Sequence, residues 1–236
     1  MSDDLQSQAE AFATTLTSLL NATVCDGAQL DVTLLPGGST ALVSPVQRRR
    51  AVNWGVVDLV GSGSPSRLGI KMFFRVRLDS HGRHLAVDTS SFGLCVNKQT
   101  GNCAVRIDYD RGEGSEPDKP DRHSRSAAHV HLNGASAEIG YARALCGYPP
   151  LPLDKLHLPV GGRRMRPTLE DFIEFLVSEH LAPEPKPDWW TALATSRAEW
   201  VSRQVRATVR RAPEDAIAQL EDMGYTVTRP AADDPV

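Results

Sequence analysis

The chain is short of everything that would place it at once in a familiar class. Its formal charge is only −3, so no overall basic field draws in nucleic acid, and any such binding has to use a local patch. No apolar run approaches the roughly 18–20 residues of a membrane span. No membrane partner is therefore expected. The opening Met1-Ser2-Asp3-Asp4-Leu5 carries neither a basic nor an apolar stretch, so no signal peptide is expected and the chain reads as cytoplasmic. The four cysteines, Cys25, Cys95, Cys103 and Cys146, include no C-x-x-C pair. That excludes a zinc ribbon and a dense disulfide framework, and leaves reduced thiols as the expectation. Aromatic residues make up only 6%. G-x-S-x-G, H-E-x-x-H, G-x-G-x-x-G after a strand and the P-loop Gly-Lys-Ser/Thr are all missing. This argues against common hydrolases, zincins, dinucleotide enzymes and P-loop proteins.

What is present is globular. Hydrophobic residues at 41% and charged residues at 23% of 236 exclude a collagen, a coiled-coil rod and a wholly disordered chain. Leu5, Ala9, Phe12, Leu16 and Leu19 or Leu20 recur at the spacing of one helix face over Asp4–Asn21. From Leu30 the period changes to two. Leu30, Val32 and Leu34 alternate before a Pro36-Gly37-Gly38 turn, and Thr40–Val43 reads as the return strand. Trp54–Val60 is a further segment, closed by the loop Gly61–Pro65. Ile70, Met72, Phe74, Val76 and Leu78 share one side of the next strand, with Lys71, Phe73, Arg75 and Arg77 on the other. After a turn at Asp79–Arg83, Leu85, Val87 and Thr89 are expected on the apolar side, and His84, Asp88 and Ser90 on the polar side. Cys103, Val105, Ile107 and Tyr109 are expected to continue the apolar face, opposite Arg106, Asp108 and Asp110. Arg111–Ser126 has no period and reads as a mobile loop or a disordered excursion. In the following segment Ala128, Val130 and Leu132 alternate with His129, His131 and Asn133.

The second half turns helical. Leu156–Val160 reads as a short strand. Thr168 is placed as the N-cap of a helix whose stripe is Leu169, Phe172, Ile173 and Leu176. Pro183–Pro187 reads as a stiff linker. Beyond it, Trp189–Arg211 has a helical pattern, with Trp189, Leu193, Trp200, Val201, Gln204, Val205 and Val209 suggesting a packed side. Glu214–Met223 is a short helix stopped by Gly224, and Tyr225–Thr228 reads as an edge strand. The fold class is therefore α+β. A mainly antiparallel sheet of roughly five to seven strands packs helices on one face, with a helical C-terminal extension. The expected division is a core domain over 1–182 and an Arg- and Trp-rich extension over 183–236.

The informative feature is the polar face. Residues i and i+2 of a strand lie on one side, so His129 and His131 project together, as do Asp108 and Asp110 with Arg106 beside them. If the two strands are neighbours, one face carries two imidazoles, two carboxylates and several cations. Two histidines can divide acid and base duties near neutral pH, and arginines can stabilise charge developing on a phosphodiester. That suits metal-independent RNA cleavage with His129, His131, Asp108 and Asp110 as catalytic candidates. The same His pair with one Asp also makes a plausible divalent-metal site; no other cofactor is expected. A solvated sheet face is the bland alternative. A second feature is the loop Gly161–Thr168, where Arg163, Arg164 and Arg166 precede a helix N-terminus suited to an anion. With Arg106 and His157 they are the phosphate-binding candidates.

The stretch from Ile70 to Glu179 resembles the TumE-type toxins of bacterial toxin–antitoxin pairs. The shared layout is a strand ending in Tyr109-Asp110, a polar loop, the strand His129-Val130-His131, and the apolar helix Leu169–Val177. The resemblance covers less than half of the chain. It implies a toxin that acts on RNA and is neutralised by a DNA-binding antitoxin. The leading expectation is thus a toxin-like RNA-cleaving or nucleotide-handling enzyme. The alternative is a non-enzymatic regulator that grips a protein or nucleic-acid partner through its Arg-rich helix and loop.

Overall fold

Alternation with period two makes strands that each have one greasy side, and such strands must pair and be covered. A computed structural model describes residues 2–46, 55–61, 68–95, 103–111, 127–135, 148–149, 152–155, 158–160 and 166–228. Among these, eight strands form one sheet: β1 (Leu30–Leu34), β2 (Ala41–Pro45), β3 (Val56–Asp58), β4 (Gly69–Leu78), β5 (Leu85–Cys95), β6 (Cys103–Asp110), β7 (Ala128–Leu132) and β8 (Leu158–Pro159). The order is β1-β2-β4-β5-β6-β7-β8, with β3 also pairing β4. Every described pairing is antiparallel. The helices are α1 (Ser2–Thr23), α2 (Leu169–Ser178), α3 (Trp189–Arg211) and α4 (Pro213–Asp222). The α+β expectation with helices on one sheet face holds. The strand count is eight, one above the expected upper limit; β3 and β8, three and two residues long, fall within the Trp54–Val60 and Leu156–Val160 segments.

The core lies on one side of the sheet. Ile70, Met72, Phe74 and Val76 of β4 are buried there with Phe92 and Leu94 of β5. A row of aromatic rings ties both helices to it. Phe12 of α1 meets Phe74 edge-on at 5.4 Å, Phe74 lies 6.3 Å from Phe92, and Phe92 lies 5.3 Å from Phe172 of α2. Helix α2 starts where the sequence places it. Thr168 Oγ1 accepts from the Asp171 N–H at 3.2 Å, and Asp171 Oδ2 accepts from the Thr168 N–H at 3.1 Å. This reciprocal cap satisfies two otherwise orphaned donors.

Two register shifts correct the face assignment. Arg75 pairs with Thr89 but Val76 pairs with Val87, so Asp88 is an extra residue in β5. One extra residue inverts the parity of everything beyond it. Leu85 and Val87 are on the apolar side as expected. Thr89 instead faces outward with Arg75, while Ser90 turns into the core opposite Phe74. In the same way Leu94 pairs with Val105 but Cys95 pairs with Cys103, leaving Ala104 as the extra residue. Cys103 therefore sits on the polar face with Cys95, not on the apolar one.

The chain forms two compact units, Met1–Ala192 and Leu193–Val236, with the division inside α3. In the first, the Pro183–Pro187 run lies against α1: the Lys186 N–H donates to Thr23 O at 2.7 Å, and its ammonium pairs with Asp26. In the second, the expected packed side of α3 is corrected. Leu193 is buried, but Val201, Val205 and Val209 are exposed, since periodicity marks an apolar side and does not supply a cover for it. Tyr225–Thr228 forms no strand, and Tyr225 is exposed. No described helix is long and apolar enough to cross a membrane. The loop residues 112–126 lie outside the described residues.

Candidate functional site

The antiparallel register of β6 and β7 places Asp108 opposite His129 and Arg106 opposite His131, and that of β5 and β6 places Ser91 opposite Asp108. Four polar side chains and Ser91 thus meet on the face away from α1 and α2. Asp108 is the hub. Its Oδ1 accepts from Ser91 Oγ at 2.6 Å, and Arg106 Nε donates to both carboxylate oxygens at 3.1 and 2.9 Å. His131 Nε2 lies 3.3 Å, and His129 Nε2 3.9 Å, from Asp108 Oδ2. The two imidazoles stand edge to face with centroids 4.9 Å apart.

This face is not the solvated surface that alternating charge suggests. His129 and His131 are buried, at 7% and 6% exposure, whereas Leu132 on the other side of β7 is exposed at 37%. A short 3-10 turn, Leu153–Lys155, supplies part of the reason. The carbonyl of Asp154 lies 2.7 Å from His131 Nδ1. A carbonyl can only accept, so Nδ1 carries the proton, and the neutral ring presents the Nε2 lone pair to Asp108. Burial and the Arg106 guanidinium hold the His131 pKa below its ordinary value, outweighing the pull of Asp108 and the Asp154 carbonyl. A neutral His131 then sets a lone pair against a carboxylate oxygen, an arrangement that calls for a cation between them.

Asp108, His129 and His131 each offer one ligand atom, and these atoms all lie within 4.8 Å of one another. Two imidazoles and a carboxylate suit a divalent first-row transition ion. Tetrahedral zinc, with bonds near 2.0–2.2 Å, needs donor–donor edges of about 3.3–3.6 Å. The His131–Asp108 separation of 3.3 Å already has that value, and the His129–Asp108 separation of 3.9 Å exceeds it by a fraction of an ångström. The hydrogen bond from His131 Nδ1 to a backbone carbonyl is the support that metal-bound histidines commonly receive, since it fixes ring and tautomer.

Asp110 shares the Asp108 side of β6 but is exposed at the strand end, where its N–H donates to Ala127 O at 2.8 Å. Arg166 is half-buried two residues before the cap of α2, and so leads into the helix that packs on the opposite, apolar face. Arg163, Arg164 and His157 lie outside the described residues. Farther along the polar face, Arg75 and Arg77 lie 3.1 and 3.7 Å from the buried Asp88 carboxylate, which assigns Asp88 a structural role at its own bulge. Sequence reasoning missed Ser91 because the bulge at Asp88 hid its parity. It missed Asp154 because the contribution is a backbone carbonyl, which has no side-chain signal.

Comparison with protein-family models, curated proteins and solved structures returns no match.

Proposed function

We propose that Asp108, His129 and His131 hold a divalent transition-metal ion and that the protein uses it to bind and activate an anionic substrate, with phosphate esters the class to test first. The observation that carries this reading is the His131 ring, held in the Nδ1–H tautomer by donating to the Asp154 carbonyl and aiming Nε2 at Asp108 Oδ2 from 3.3 Å. Arg106 pairs with the Asp108 carboxylate, so among these described groups a divalent ion between the two imidazoles would leave a surplus of two positive charges. An anion would be drawn to that surplus within a partly buried, low-dielectric setting. A bound ion would polarise a phosphoryl oxygen and lower the pKa of a coordinated water. Ser91 and Arg106 would hold Asp108 in place.

The metal-independent acid/base route uses the same pair of histidines. It is less well supported, because both nitrogens of His131 already face protein oxygens. RNA cleavage by an antitoxin-controlled toxin is a narrower form of the proposal, resting on the TumE-type resemblance alone. The test is to strip the protein with a chelator, titrate it with zinc, nickel, manganese and ferrous ion by calorimetry, and assay phosphodiester and phosphomonoester cleavage before and after. One ion per chain, lost in His129→Ala, with cleavage that returns only on adding metal, is the expected result. The absence of stoichiometric binding by any of these ions would overturn the metal site. Histidine-dependent RNA cleavage by the stripped protein would restore the acid/base route.

A further inference from the structure

The Ala104 bulge brings Cys103 onto the polar face beside Cys95, and the two form a second, chemically distinct group. Cys95 and Cys103 are direct register partners across β5 and β6, and their sulfurs are 3.4 Å apart. We infer that Cys95 and Cys103 form a reversible dithiol site, which a low-molecular-weight disulfide such as oxidised glutathione closes to an intrachain disulfide. This inference is independent of the metal reading.

The backbone is already suited to the bond. Directly opposed residues of an antiparallel pair have Cα atoms about 4.5–5.5 Å apart, inside the roughly 4.4–6.8 Å range of disulfides. The sulfurs need to approach by only about 1.4 Å to reach bonding distance. Gly93 makes room for this: a Cβ added there would lie 2.9 Å from Cys103 Sγ. The two thiols also differ in character. The hydrogen bond from Cys95 S–H stabilises the Cys103 thiolate, and with Lys71 on β4 and Arg106 on β6 it outweighs burial and the Asp108 carboxylate, bringing Cys103 down to about 7. The same hydrogen bond and burial push Cys95 far up. Cys103 is half-buried, whereas Cys95 is fully buried. The nucleophile is therefore the partly accessible sulfur and the resolving thiol lies behind it, the arrangement that thiol–disulfide exchange requires. Cys25 is the contrast: burial pushes it up to about 12.

The exchange balances in two steps. The Cys103 thiolate attacks one sulfur of oxidised glutathione, forming a mixed disulfide and releasing one glutathione thiolate, which takes a proton from water. Cys95 then gives its proton to solvent and attacks Cys103 Sγ, releasing the second glutathione. Two protein thiols are oxidised, and one glutathione disulfide is reduced to two thiols.

The experiment exposes the reduced full-length chain to oxidised glutathione and follows it by mass spectrometry. Trypsin cuts after Lys98, between the two cysteines, so a disulfide joins two separate peptides. The expected result is a loss of about 2 Da, for two hydrogens, with the Cys95 and Cys103 peptides linked and then separated again by a reductant. Cys95→Ser should stop at a stable glutathione adduct on Cys103. Cys103→Ser should leave Cys95 unmodified. Circular dichroism would confirm that both variants are folded. A wild-type protein that stops at the Cys103 adduct, does not react, or oxidises Cys25 or Cys146 first would overturn the inference.

Discussion

Replacing Asp108 with Asn separates the two states in which His131 can face it. In the metal-free protein the Asn amide oxygen can keep the Ser91 hydroxyl, now at 2.6 Å from Oδ1. Its NH2 group can then donate to the His131 Nε2 lone pair, now 3.3 Å from Oδ2. A neutral hydrogen bond of this kind is worth about 0.5–1.5 kcal/mol. The lost Arg106 ion pair costs about 0–1 kcal/mol, because the Arg106 side chain is 42% exposed and water replaces the carboxylate. The two effects nearly offset, so the metal-free melting temperature of the first unit should move by no more than about 4 °C. Zinc should behave differently. At a concentration near 100 times its dissociation constant it stabilises the wild type by about 2.7 kcal/mol, which for a unit of this size raises the melting temperature by about 5–11 °C. A hundredfold weaker site in the variant would keep only about 0.4 kcal/mol at the same zinc concentration, a shift of roughly 1–2 °C. Scanning calorimetry with and without zinc reads both quantities. A metal-free variant destabilised by several kcal/mol would mean that His131 is an imidazolium paired with Asp108, and the lone-pair argument would fail. Equal zinc shifts in both proteins would remove Asp108 from the ligand set.

Three further outcomes test the surroundings. In the metal-free protein, burial and Arg106 hold His131 below its ordinary value of 6.5; as pH falls through 6.5 the unfolded chain gains a proton that the folded chain refuses, so stability drops. His131→Gln should flatten that part of the profile in urea melts run at several pH values, and an unchanged slope would assign it elsewhere. Gly93→Ala should cost about 1–3 kcal/mol, because the new methyl would lie 2.7 Å from Val105 O and 2.9 Å from Cys103 Sγ; a neutral effect in chemical denaturation would show that β5 and β6 can move apart there. Phe172→Ala should cost about 3–5 kcal/mol, since the ring is fully buried against Phe92 at 5.3 Å, and a loss below 1 kcal/mol would contradict the packing of α2 on the sheet.

The legible parts of the fold were those where residue type and period agree over a long run. Buried Ile70, Met72, Phe74 and Val76 on β4, the α2 stripe, and the Thr168 cap followed directly from spacing. The pairing of His129 and His131 on one side of β7 was legible for the same reason. Their position beside Asp108 was not, because strand adjacency is decided by the whole sheet and not by either strand's own residues. Bulges were invisible as well. Asp88 and Ala104 are ordinary residues in ordinary surroundings, and only their cross-strand partners show that each is one too many. On α3, spacing marked Val201, Val205 and Val209 as a side, but burial depends on what a second element covers.

The two bulges carry a consequence for how such a sheet can change over time. A single inserted or deleted residue in β5 or β6 moves a whole set of side chains from the interior layer to the outer one, with no change in any side chain's identity. The polar face that gathers Ser91, Cys95, Cys103 and Asp108 is thus a matter of count as much as of chemistry. A chain of this architecture can acquire or erase a reactive surface through one codon gained or lost, a far shorter route than building it by successive substitutions.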